Sequence, residues 1–71
     1  MVTISEVKEL DELMSQVAKD SRWGVIVGNY KKLRHTDDIV EKTKLLYSVL
    51  KNLRARGYEI DKKVVVELIS K

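Results

Sequence analysis

The chain of 71 residues holds one histidine and no cysteine, which leaves little material for catalysis or metal binding. His35 stands between Arg34 and Thr36, and no motif pairs it with a nucleophile. A solvent-facing or capping histidine is the plainer expectation. Asp37-Asp38 sets two carboxylates side by side, but acids placed just before an apolar run are what a helix start favours. Gly24-x-x-x-Gly28 lacks the Lys-Ser/Thr that completes a phosphate-binding loop. The expectation is a protein with no catalytic residue, no metal site and no cofactor.

What remains is binding chemistry. The formal charge of +3 is mildly basic and unevenly spread. Residues 1–21 carry a net −3 and residues 22–36 a net +4 with no acid at all. Residues 37–48 sum to −1, residues 49–57 to +3, and the remaining tail is neutral. The stretch at 22–36 interleaves Arg22, Lys31, Lys32, Arg34 and His35 with Trp23 and Tyr30. Cations beside aromatic and apolar side chains suit a protein partner that presents acids around a bulky apolar anchor. These seven residues are the candidate partner-binding set. The same cations could grip phosphates while the rings stack on bases, so nucleic acid is the alternative partner. Lys51, Arg54 and Arg56 would extend such a contact. The spacing of Trp23 and Tyr30 with Ile26 and Val27 instead favours a core-facing stripe for the two rings.

The elements that must position these residues read as helices. Thr3 and Glu6 have capping-box spacing, and Val7, Leu10, Met14 and Val17 recur on one face, widened by Leu13 and Ala18. Gly-Val-Ile-Val-Gly at 24–28 has strand character, but no second strand is evident to pair with it. Trp23, Ile26, Val27, Tyr30 and Leu33 fit a helix. The two glycines, four apart, are either a site of close helix approach or a coincidence. In the next segment Thr36 or Asp38 can cap, with Glu41 at box spacing from Asp38. Ile39, Thr43, Leu46, Leu50 and Leu53 form its apolar stripe, and Val40, Tyr47 and Val49 broaden it. Gly57 sits where a left-handed residue ends a helix. Tyr58-Glu59-Ile60 crosses to Asp61, a cap for a short last helix carrying Val64, Val65, Leu68 and Ile69.

The reading is all-α: four helices near 4–20, 22–34, 37–56 and 62–70, in a compact four-helix bundle or an orthogonal helical domain spanning 1–71. With 44% hydrophobic and 35% charged residues, no proline and three glycines, little material is left for a strand-and-turn protein. No apolar run nears the roughly 20 residues needed to cross a bilayer. No membrane partner is expected, and the expected location is intracellular (nuclear in a eukaryote, cytoplasmic otherwise). Self-association through an exposed apolar side is a further option.

Several segments carry a family resemblance. Ser21-Arg22-Trp23-Gly24-Val25-Ile26-Val27 resembles the hydroxyl-Arg-x-Gly-x-x-Val start of a helix in the N-terminal domain family of transcription elongation factor IIS. Leu33-Arg34-His35-Thr36-Asp37-Asp38-Ile39 is similar to the basic-to-acidic junction that follows there, and Lys44-Leu45-Leu46 to its lysine-plus-apolar helix. Leu10-Asp11-Glu12-Leu13, Lys31-Lys32-Leu33-Arg34 and Glu41-Lys42-Thr43-Lys44-Leu45-Leu46-Tyr47 resemble stretches of the related integrase-binding domain of lens-epithelium-derived growth factor. The resemblance runs over residues 10–53. It departs in lacking the break, often marked by proline, between the early helices, and in having Leu50-Lys51 where a tryptophan commonly precedes a lysine. It implies an all-helical module that binds disordered motifs of transcription or chromatin proteins. Contacts would come from Lys31, Lys32, Arg34 and His35, with Trp23 or Tyr30 bordering the pocket. The expected function is therefore a non-enzymatic interaction module, an accessory factor in transcription or another nucleic-acid process. Its alternative is a small nucleic-acid-binding protein using residues 22–35 and 51–56.

Overall fold

The computed structural model describes residues 1–70. Its elements run β1 (Val2–Ile4), α1 (Val7–Val17), a 3-10 turn (Ser21–Trp23), α2 (Gly24–His35), α3 (Ile39–Ala55), β2 (Tyr58–Ile60) and α4 (Lys62–Ser70). The chain is mostly helical, but it is not all-α. Val2, Thr3 and Ile4 pair in parallel with Tyr58, Glu59 and Ile60. The pair is framed by the Val2 N–H donating to the Gly57 carbonyl at 2.8 Å and the Asp61 N–H to the Ile4 carbonyl at 3.0 Å. Two isolated strands are marginal in water, so the pair depends on what it packs against. Ile4 supplies that anchor, buried in the core cluster, while Tyr58 and Ile60 pack on the cluster from β2.

The strand shortens the first helix. Residues 4–6 are spent on the strand and the turn out of it, so α1 begins at Val7 rather than at 4. Glu6 occupies the cap position in extended backbone and makes no side-chain cap bond, so the Thr3–Glu6 capping box does not form. The caps further along do form. Asp20 accepts from the Arg22 N–H at 2.9 Å, Asp38 from the Val40 N–H at 3.0 Å and Asp61 from the Lys63 N–H at 3.0 Å. Gly57 ends the α3 segment with φ at 88°, the left-handed conformation that glycine adopts without a Cβ penalty.

Helices α2 and α3 make the most extensive helix–helix contact, joined by the short connection at 36–38. Ile26 and Leu33 of α2 and Leu46, Val49 and Leu53 of α3 are buried together with Leu10, Met14, Val64 and Leu68. Asn29 donates to the Ser48 hydroxyl at 3.2 Å across the pair. Gly24 and Gly28 are exposed, and a Cβ at either would meet nothing within 4 Å, so they serve no close helix approach within the chain. The apolar side of α3 is also narrower than its sequence indicates. Ile39, Val40 and Tyr47 are exposed, because the core takes only the arc from Lys42 through Leu46 and Val49 to Leu53.

Candidate binding surface

Four of the seven candidate residues of the 22–36 stretch, Arg22, Trp23, Tyr30 and Arg34, make contacts within the chain. Arg22 donates through Nε and Nη2 to the two Asp20 carboxylate oxygens at 3.2 and 2.9 Å. The Asp20 carboxyl is held below its ordinary range chiefly by this side-chain bond, with the Arg22 N–H adding to it, and the Arg22 guanidinium is raised in return. Trp23 is half-buried against the core, edge-on to Tyr58 with ring centroids 5.9 Å apart. Arg56 lies over its ring at 5.1 Å and donates to the Arg22 carbonyl at 2.9 Å and the Asn52 carbonyl at 3.2 Å. Arg22, Trp23 and Arg56 therefore form one knot that joins the start of α2 to the end of α3.

Tyr30 is 5% exposed, so its ring is core, as the helical spacing favours, and it leaves the candidate partner-binding set because packing covers it. Its hydroxyl donates to Asp11 on α1, and Arg34 reaches the same hydroxyl at 3.4 Å with its guanidinium 5.9 Å from the ring. Burial, and secondarily the Asp11 carboxylate, push the Tyr30 phenol well above its ordinary value. Lys31, Lys32 and His35 are exposed on α2. A groove of about 500 Å³ does run beside this stretch, between α1 and α2, floored by Met14, Ala18, Val27 and Tyr30. Its rim is not basic: Lys31 stands there against Asp11. Arg34 lines another cleft of about 390 Å³, together with the acids Asp37 and Glu67.

The outer face of α3 is different. Val40, Lys44, Tyr47, Lys51 and Arg54 are all exposed, Tyr47 at 69% and Val40 at 59%. At 100° per residue these five positions fall within an arc of roughly 80°. Among the described residues, no ion pair within 4 Å and no side-chain hydrogen bond engages Lys44, Lys51 or Arg54. Tyr47, Leu50, Lys51 and Arg54 line a shallow cleft of about 310 Å³, where two cations border an apolar floor and no acid intervenes. Lys51 and Arg54 belong to the sequence-derived contact set, while Lys44 and Tyr47 do not. The signal for them was the four-three spacing from Val40, hidden because Val40 and Tyr47 also extend the apolar stripe.

No protein-family model, curated protein or solved structure matches the chain. The surface must therefore be read from its own chemistry. It offers cations, a phenol ring and aliphatic carbon, which bind and orient. Among the described residues no three His, Cys, Asp or Glu side chains are grouped to hold a metal ion. No helix there is long and apolar enough to cross a membrane.

Proposed function

We propose that this protein is a non-enzymatic interaction module that takes an acidic segment of a partner protein on the outer face of α3. The single observation that carries the reading is the cleft of Tyr47, Leu50, Lys51 and Arg54, a basic-rimmed apolar site whose cations have no partner among the described residues. Tyrosine and arginine are the side chains most often dominant at interfaces, because each combines a large contact surface with a fixed polar group. A bulky apolar side chain of the partner would seat on Tyr47 and Leu50, and flanking carboxylates would meet Lys51 and Arg54. This reading centres the site on α3, with the exposed Lys31, Lys32 and His35 as peripheral cations. The setting in transcription or another nucleic-acid process is part of the proposal and rests on the resemblance. The β1–β2 pair departs from the all-helical architecture which that resemblance implies.

Direct nucleic-acid binding is the second reading, favoured by the exposed Tyr47 ring among Lys44, Lys51 and Arg54. Fluorescence anisotropy of a labelled peptide carrying one Leu or Trp among Glu and Asp residues, run beside a labelled DNA of equal length, tests the two. Saturable peptide binding that Tyr47→Ala weakens supports the module. Tight, steeply salt-dependent DNA binding with no peptide binding replaces it with the second reading.

A further inference from the structure

The exposed stripe on α3 has a geometry that constrains its partner further. Val40, Lys44, Tyr47, Lys51 and Arg54 step by four, three, four and three. The fourteen helical rises from Val40 to Arg54 make the stripe roughly 21 Å long at 1.5 Å per residue. Steps of four and three average 3.5 residues, the repeat at which a second helix lying alongside at a shallow angle stays in register. A mid-helix face presents no free backbone groups, since the N–H and C=O groups of an α-helix interior are satisfied within it. An extended segment gains most of its affinity from main-chain pairing at a sheet edge, which this face does not supply. A helical segment satisfies its own backbone and needs only side-chain complementarity.

We infer that the α3 stripe is the docking seam for an acidic amphipathic helix of a partner protein, with carboxylates at seven-residue spacing opposite Lys44 and Lys51 and an apolar side chain between them on Tyr47. The inference rests on the interaction-module reading and names the conformation and charge pattern of the partner. Charge complementarity selects the occupant: three cations and no acid lie on the stripe, and Glu41 stands only at its edge. A second copy of the same helix face would set cation against cation, and like charges held together are unfavourable. The stripe also has few cations for a duplex binder and no Asn or Gln to read adenine. The lysine stems can cover the apolar contact while their ammonium groups reach outward to the partner's acids.

The test uses three synthetic peptides of identical length with the protein as it stands. One is a capped helical peptide with Glu at seven-residue intervals around a central Leu. The second has the same composition in scrambled order, and the third is the first with proline beside the central Leu, which breaks the helix and keeps the anchor. The helical peptide is expected to bind at least tenfold tighter than the other two and to gain helical circular dichroism on binding. Lys44→Glu with Lys51→Glu should lower its affinity at least tenfold, with an unchanged far-ultraviolet spectrum of the protein showing that the fold is retained. Equal binding of all three peptides overturns the helical seam while leaving the acidic-segment reading in place. Binding of duplex DNA with no binding of any peptide overturns both. Loss of peptide binding as the protein self-associates at higher concentration, through the exposed acids Glu9, Asp11 and Glu12 of α1 meeting α3, would also overturn the seam as a site for another protein.

Discussion

The basic stretch of 22–36 and the outer face of α3 have similar residue types, but in the first the arginines and rings turn to internal contacts while only Lys31, Lys32 and His35 stay exposed without a partner among the described residues. In the first, Arg22 is held by Asp20, Arg34 by Tyr30 near Asp11, and the Trp23 ring is covered by Arg56. In the second, Lys44, Lys51 and Arg54 stand beside Tyr47 with no ion pair among the described residues. Cations and aromatics close in sequence therefore do not all stay outward once the chain folds. What distinguishes the regions is whether acids and core surface come within reach after folding. For Arg22, Tyr30 and Arg34 they do, because Asp20 precedes α2 and Asp11 packs against it from α1. For Lys31, Lys32 and His35, and along the outer arc of α3, they do not.

This contrast can be broken most forcefully at Tyr30. Tyr30→Ala should destabilise the protein by roughly 3 kcal/mol, a large-to-small change in the core. Chemical denaturation measures that loss, and peptide affinity at low temperature should stay near the wild-type value. Burial and the Asp11 carboxylate raise the Tyr30 phenol above its ordinary value. Its contribution to stability is therefore complete below about pH 10, the unfolded value, and declines as the pH rises further toward the folded one. Tyr30→Phe should flatten that part of the alkaline limb. An unchanged limb would mean that neither burial nor Asp11 raises the Tyr30 phenol on folding.

Tyr47→Ala should do the reverse of Tyr30→Ala. A lost interface anchor of roughly 2 kcal/mol corresponds to about a 30-fold weaker peptide complex, with little change in the unfolding midpoint. If instead stability falls and affinity holds, the assignment of the two tyrosines is inverted. Paired charge reversals come next in size. Lys44→Glu with Lys51→Glu should weaken peptide binding about tenfold, equivalent to roughly 1.4 kcal/mol. Lys31→Glu with Lys32→Glu should weaken it less than about threefold, since those cations act only at a distance through screening solvent. Comparable losses from both pairs would return the site to the 22–36 stretch. The smallest expected effect is that of Arg56→Ala, about 0.5–1 kcal/mol for an exposed cation over an aromatic ring. Its sharper readout is Trp23 fluorescence, which should shift to the red and become more accessible to a quencher as its cover is removed.

Much of the secondary structure was legible in local chemistry. The caps at Asp38 and Asp61 and the glycine at 57 act within a few residues of themselves, so their positions mark the ends of α3 and α4 directly. The stripe of Ile26, Val27, Tyr30 and Leu33 likewise placed α2 as a helix, but the sequence left Tyr30 in the candidate binding set, and only its burial in the structure removes it. The parallel pairing of Val2–Ile4 with Tyr58–Ile60 was not legible. Each strand has three residues, too few for an alternation signal, and parallel partners are necessarily distant in sequence. Missing that pair also misplaced the start of α1, because Thr3 and Glu6 satisfy a capping pattern that the strand overrides.

Local spacing and capping therefore determined, from the sequence by itself, that this chain builds four helices and which side of α2 turns inward. Only the tertiary structure decided which cations remain outward. On α3, apolar residues cover more of the helix circumference than one neighbouring surface can bury, so periodicity leaves Val40 and Tyr47 as acceptable core positions. Packing of α2, β2 and α4 around Leu46, Val49 and Leu53 used up the core-facing arc. Val40 and Tyr47 were left in solvent beside Lys44, Lys51 and Arg54, where they form the surface proposed to bind.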